Sequence, residues 1–62
     1  MNYPKLIKHI RETLLLSQTE LAEVLGVSFA TINRWENGHH LPIMRDRRKI
    51  RELCLKSGIK EE

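Results

Sequence analysis

The sequence predicts an all-α fold, a compact bundle of four or five short helices, and three observations support this. Apolar residues recur every three or four positions along much of the chain, which is the spacing of one helix face. Two serines stand directly before such segments, where helix N-caps are expected. No stretch shows the alternation of a half-buried strand. We expect one domain over residues 1–62, with its core at about 4–58.

Composition narrows the classes of function. A chain of 62 residues buries only about 60% of the surface that it exposes when unfolded, which argues against a deep enzyme pocket. The net charge of +3 and the pI of about 9.4 are compatible with nucleic acid as a partner. A single cysteine excludes an internal disulfide and fits a reducing cytosol. No apolar run approaches the roughly 20 residues of a membrane span, so we expect a cytoplasmic protein.

The first helix is expected from Pro4 to about Leu15, after a short arm at residues 1–3. Proline is favoured in a first helical turn, because its missing N–H has no intrahelical partner there. Ile7 and Ile10 then follow at helical spacing. The end of this helix leaves two alternatives: it runs one residue further, or Leu15 is an exposed apolar residue.

The second helix is expected from Gln18 to about Leu25. Ser17 and Glu20 have the spacing of a capping box, in which each side chain accepts from the other residue's backbone N–H. Gly26 can end this helix in the left-handed conformation without a Cβ penalty.

The third helix is expected from Phe29 to about Asn37, with Ser28 as its N-cap and Gly38 after its end. Two helices this short are marginal alone, so they must pack on each other. Ala22 is small where they would cross. This arrangement is a helix-turn-helix.

The third helix has two distinct faces at about 100° per residue. Ile32 and Trp35 lie with Glu36 on the side that faces the core. The opposite side carries Ala30, Asn33, Arg34 and Asn37, with Phe29 at its edge. This outward face is free of acids and offers an amide, a guanidinium, a methyl and a ring. These groups read base edges in a DNA major groove.

A fourth helix is expected from about Ile43 to Lys56. Its predicted inner stripe is Met44, Ile50, Leu53 and Cys54. Arg47 or Arg48 is expected to cover a gap in this stripe with its aliphatic stem. Residues 60–62 are expected to fray.

The segment SQTELAEVLGVS…INRWENG resembles the phage repressor and Cro-like (XRE-type) helix-turn-helix family. The resemblance rests on Ser17-Gln18, Leu21-Ala22, Gly26-Val27, Ile32, Trp35 and Glu36-Asn37-Gly38. It covers about residues 5–42, and the trailing Trp-Glu-Asn-Gly makes it specific. It implies a lambda-repressor-like fold and sequence-specific binding of double-stranded DNA as a transcriptional repressor or regulator, with the third helix in the major groove.

The docking of such motifs suggests which residues meet the DNA. Base contacts are expected from Phe29, Ala30, Asn33 and Arg34. Phosphate contacts are expected from Gln18, Ser28, Thr31, Asn37, His39 and His40. The resemblance also implies a structural salt bridge between Arg11 and Glu36, and Trp35 is expected in the core.

Each of these assignments has a plainer alternative. Asn33 and Arg34 could be ordinary solvated residues, and Phe29 could pack on the second helix. The basic run at 45–51 is either a solvated face or a flank of the DNA. The histidines at 39–40 are not expected to bind metal, because adjacent histidines rarely aim at one ion and no four-ligand spacing exists. No cofactor is expected.

Two rival functions share this sequence pattern. The chain could be the DNA-binding module of a restriction or modification-type enzyme, or an antitoxin-like protein-interaction module. It is not expected to be an enzyme itself, because no nucleophilic set and no Gly-rich phosphate loop is present. A homodimer on DNA is an option, with Leu15, Leu16 and the fourth helix as candidate faces.

Leu15 stands where the resembling family often has glycine.

Overall fold

The computed structural model describes residues 2–60, which form four helices and no strand. The helices are α1 (Tyr3–Leu14), α2 (Gln18–Leu25), α3 (Phe29–Glu36) and α4 (Met44–Ser57). Helix α3 packs against both α1 and α2, and α2 also contacts α4. The predicted all-α fold is confirmed. Within the described part of the chain, no helix has the length and apolar character needed to cross a membrane.

A single apolar core lies among the four helices. It consists of Leu6, Ile7, Ile10, Leu21, Ala22, Leu25, Ile32, Trp35, Ile50, Cys54 and Ile59. Every helix contributes one face to it, which matches the helical spacing of these residues. Pro42 is also fully buried, so the loop between α3 and α4 lies against the same core.

Helix α1 begins earlier than the sequence suggested. Asn2 is its N-cap, with Oδ1 accepting a hydrogen bond from the Lys5 N–H at 3.1 Å, and Tyr3 is its first residue. The expected arm is therefore wrong for these two residues, because asparagine is among the strongest N-caps. The expectations for Met1 and for residues 61–62 lie outside the described residues.

Helix α1 ends at Leu14, and Leu15 adopts the left-handed conformation with φ 58° and ψ 45°. Of the two alternatives, the exposed one is right, since Leu15 is 88% exposed. The N–H of Leu16 closes the turn on the carbonyl of Arg11 at 2.8 Å. A left-handed residue with a Cβ costs about 1–2 kcal/mol. Helix α2 begins three residues after Leu15, so the chain has to turn at this point despite the strain.

Replacing Leu15 with glycine is expected to raise the free energy of unfolding by about 1 kcal/mol. The substitution removes the strain at φ 58° and gives up little packing. Urea unfolding would measure it. The matched control is Leu55→Gly, the same change at a leucine that is 70% exposed inside α4, which should lower stability by about 0.5–1 kcal/mol. A destabilising Leu15→Gly would show that the side chain contributes more than the strain costs.

Helix α4 follows the predicted inner stripe at three of its four positions. Ile50, Leu53 and Cys54 face the core, but Met44 is 61% exposed, so its assignment was wrong. Met44 and Ile50 are six residues apart, and at 100° per residue their side chains lie about 120° apart around the helix axis. Asp46 takes the inward place in the first turn and is 6% exposed.

Arg47 is the arginine that covers the gap in this stripe. Its Nε donates to the carbonyl of Pro42 at 2.8 Å, and its guanidinium lies 5.6 Å from the centroid of the Tyr3 ring. Arg48 is exposed. The cation–π contact joins the start of α4 to the start of α1.

Candidate nucleic-acid interface

Local hydrogen bonds set the positions of α2 and α3. The hydroxyl of Ser17 accepts from the Glu20 N–H at 3.0 Å, and the Glu20 carboxylate accepts from the Ser17 N–H at 2.9 Å. Bonds from the Ser17 backbone and hydroxyl lower the pKa of Glu20. Gly26 ends α2 at φ 69°, and the Ser28 hydroxyl accepts from the Thr31 N–H at 3.1 Å. The turn between the helices is therefore only three residues long, from Gly26 to Ser28.

Helix α3 presents an acid-free surface away from the core. Ile32, Trp35 and Glu36 are at most 5% exposed, so the single acid of α3 points inward. The outward residues are Phe29, Ala30, Arg34 and Asn37, which are exposed, and Asn33, which is half-buried. The structure thus brings all four expected base-reading residues onto one side of α3.

Asn37 and Asn33 form a hydrogen-bonded pair on this surface. The Asn37 Nδ2 donates to the Asn33 carbonyl at 2.9 Å and to the Asn33 Oδ1 at 3.1 Å. The Asn33 amide is therefore held by Asn37, and its own NH₂ group is left for another partner. Sequence reasoning placed Asn37 with the phosphates alone. Its spacing of four residues from Asn33 was the signal that could have revealed the pair.

Glu36 is the centre of a polar cluster that joins three helices. The Arg11 Nε lies 2.6 Å from the Glu36 Oε2, and the Arg11 Nη2 donates to Oε1 at 3.0 Å. The Gln18 Nε2 donates to the same Oε1 at 3.1 Å. Arg11 lies on α1, Gln18 on α2 and Glu36 on α3. Two parallel bonds of this kind fix the mutual orientation of the groups.

The electrostatics of this cluster favour the charged pair. Burial raises the pKa of Glu36, but hydrogen bonds from Arg11 and Gln18 and the charges of Arg11 and Lys8 lower it more, and the net pKa lies below the usual carboxyl value. The hydrogen bond to Glu36 raises the pKa of Arg11, against the effect of burial. Both groups therefore remain ionised near neutral pH.

We expect Arg11 and Glu36 to be energetically coupled by about 1–2 kcal/mol, because the Glu36 side chain is 4% exposed and both its oxygens are bonded. A double-mutant cycle with Arg11→Ala and Glu36→Ala on thermal stability measures this. The lowered pKa of Glu36 means that the coupling is complete above the ordinary pKa of about 4.3 and is lost as pH falls through the folded value. Combining Arg11→Ala with Glu23→Ala, at an exposed carboxylate of α2, is the additive control. Additivity of Arg11 with Glu36 would refute the coupling.

The loop after α3 begins beside this surface. Gly38 has φ 74°, and the His39 N–H returns to the Arg34 carbonyl at 2.9 Å. His39 and His40 are both exposed. Residues 2–60 contain no group of three or more side chains that could hold a metal ion.

The basic run of α4 divides into inward and outward members. Arg47 lies on Tyr3, and the Lys49 Nζ is 4.0 Å from the Asp46 Oδ1. Among residues 2–60 this buried Oδ1 has no hydrogen-bond donor, and it lies 3.5 Å from the Arg45 Nε. Sequence reasoning missed this arrangement. The exposed cations of the run are Arg45, Arg48 and Arg51.

Comparison with known families finds one match. A family model described as helix-turn-helix matches residues 7–42, which is more than half of the chain. The matched segment includes all of α2, the turn and α3, and it ends before α4. Comparison with curated proteins and with solved structures finds no match.

Proposed function

Because this chain belongs to the XRE-type helix-turn-helix family of DNA-binding regulators, we propose that it binds double-stranded DNA at specific sequences and represses transcription there. The family is one of regulatory DNA-binding domains rather than enzymes. In this proposal α3 is the recognition helix in the major groove. Action on DNA implies a cytoplasmic location at the nucleoid.

The observation that carries the proposal is the acid-free outward surface of α3. The guanidinium of Arg34 is exposed and suits guanine O6 and N7. The amide of Asn33 suits adenine N6 and N7, and Asn37 holds it in place. Phe29 and Ala30 complete the surface at the start of the helix. An acid among these groups would repel the phosphates on either side of the groove.

The groups around this surface are proposed to bind phosphates. They are Gln18, Ser28, Thr31, Asn37, His39 and His40. Gln18 is the first residue of α2, where free backbone N–H groups attract anions. Its side chain is held by Glu36, so the N-terminus of α2 is fixed relative to α3. Phosphate contacts set the register of the protein on the duplex without reading sequence.

Binding as a homodimer is part of the proposal. Two recognition helices one DNA turn apart, about 34–36 Å, would read a palindromic site. Leu15 is 88% exposed and Leu55 on α4 is 70% exposed, so both are available for a subunit contact. Leu16 is half-buried and packs against the core, which leaves less of it for a partner.

Selection of bound duplexes from a random-sequence library tests the proposal. Wild-type protein should enrich one motif. Arg34→Ala should flatten that motif at one position per half-site and cost about 1–3 kcal/mol in affinity, because a bidentate base contact is lost. Gln18→Ala is the comparison: it should lower affinity and leave the motif unchanged.

Asn37→Ala belongs with Arg34→Ala in this experiment. It removes the bond that orients Asn33, so it should weaken the preference at the base that Asn33 reads as well as the overall affinity. Thermal melts of every variant check that the fold persists. If the wild type enriches no motif, the DNA proposal fails and the protein-interaction alternative gains. If Arg34→Ala keeps the full motif, α3 does not dock as proposed.

A further inference from the structure

The first turn of α3 exposes an apolar surface to solvent. Phe29 is 51% exposed, and Ala30 beside it is exposed as well. Neither side chain can donate or accept a hydrogen bond. Both lie on the outward side of α3, directly before the polar readers Asn33 and Arg34.

The polar side chains of the same turn form hydrogen bonds with each other. The hydroxyls of Ser28 and Thr31 lie 2.9 Å apart, and the Thr31 N–H also donates to the Ser28 Oγ. Thr31 is rotated about 200° from Phe29 around the helix axis. The side that the first turn would present to a major groove therefore carries the Phe29 ring and the Ala30 methyl group. The hydroxyl groups of Ser28 and Thr31 lie beside that side.

The asparagine and the arginine act on different base pairs from this apolar surface. Asn33 follows Phe29 by four residues, and Arg34 follows Ala30 by four. That spacing moves them about 6 Å along the helix axis, against about 3.4 Å between successive base pairs. In the proposed docking of α3, the base pair that Phe29 meets is therefore expected to be read by apolar contact alone.

We propose that the first turn of α3 is a reader of pyrimidine C5-methyl groups, accepting thymine and 5-methylcytosine alike. This rests on the proposed function. The C5-methyl is the apolar feature that a base presents in the major groove, and the two bases carry it at the same ring position. A reader without hydrogen-bonding groups has no means of telling T·A from methylated C·G at that position. Methylation of a cytosine there would consequently strengthen binding at that site.

Modified duplexes test the proposal on wild-type protein. In the duplex obtained by selection, each thymine is replaced in turn by deoxyuridine, which lacks only the methyl. At one or two positions per half-site, this replacement should lower the affinity of the protein for the duplex roughly fourfold. That factor corresponds to the free energy of burying one methyl-sized group. At those positions, 5-methylcytosine paired with guanine should bind roughly fourfold tighter than cytosine paired with guanine.

Two variants assign the effect to Phe29. At one of these positions, Phe29→Ser should reduce the ratio of the affinity for the thymine duplex to the affinity for the deoxyuridine duplex to about one. Val24→Ser is the matched control, since Val24 is an apolar residue of α2 that is 54% exposed, and it should keep the full ratio. Circular dichroism checks that both variants retain their helices.

The outcomes separate the two proposals. Selection of a motif without any thymine-to-uracil difference would overturn methyl reading and leave DNA binding intact. A thymine-to-uracil difference with no gain from 5-methylcytosine would also overturn it, because another group of thymine would then be read. Failure to select any motif would instead remove the proposed function, and methyl reading with it.

Discussion

Replacing Trp35 with alanine is expected to lower the free energy of unfolding by about 3–5 kcal/mol. The indole is 3% exposed and shares the inward face of α3 with Ile32, so its removal leaves a cavity in the core. A chain of 62 residues has roughly 3–9 kcal/mol of total stability. The variant should therefore lose a large part of this stability, and at the lower end of the range it should be unfolded at room temperature. Thermal unfolding followed by circular dichroism measures the loss.

The control for Trp35 is a large apolar residue on the surface. Leu55 is 70% exposed, and Leu55→Ala should change stability by no more than about 0.5 kcal/mol. Trp35 is the single tryptophan, so its emission in the wild type reports this site alone and should be blue-shifted. Water-like emission from the folded protein, or a Trp35→Ala variant as stable as the wild type, would contradict a core position and reopen a base-stacking role.

Raising the salt concentration from 50 to 200 mM is expected to weaken DNA binding by roughly 250- to 1,000-fold for each bound monomer. We expect about 4–6 phosphates to be neutralised per monomer, which gives a slope of about −4 to −5 in a plot of log affinity against log salt. The physical cause is the release of counterions condensed on the duplex. Exposed cations are available for these contacts on α1, at Lys5 and Lys8, and on α4, at Arg48. Fluorescence titrations at several salt concentrations give the slope.

The same titration decides whether the outward cations of α4 flank the DNA. Arg48→Ala should reduce the slope by about one if Arg48 meets a phosphate, and should leave it unchanged if that face is only solvated. Circular dichroism at both salt concentrations excludes an effect on the fold. A flat salt response of the wild type would remove the DNA proposal.

The helix-turn-helix was predictable from the sequence because short-range bonds set its boundaries. Ser17 and Glu20 are three residues apart and bond reciprocally, as the sequence pattern implied. Gly26 and Ser28 then define the end of one helix and the start of the next. Such interactions involve only neighbouring residues, so they can be read without knowledge of the fold.

Three errors arose although the features that decide them are local. The arm was wrong because Asn2 was not recognised as a cap, and Met44 was assigned inward although its spacing from Ile50 turns it away. The pairing of Asn37 with Asn33 was missed although it lies within one helix turn. Each of these features involves residues no more than six positions apart in the chain. The conformation of Leu15 is different, because it depends on where α2 must begin.

The sequence by itself determined the four helices, their apolar faces and the outward surface of α3, since these follow from helical spacing and caps within about four residues. Tertiary structure decided that Arg47 covers the core beside Tyr3 while Arg48 stays exposed. It also showed that the amide of Gln18 is engaged by Glu36. The physical reason is distance along the chain: Gln18 and Glu36 are 18 residues apart, and only the packing of α2 on α3 brings their side chains within 3.1 Å.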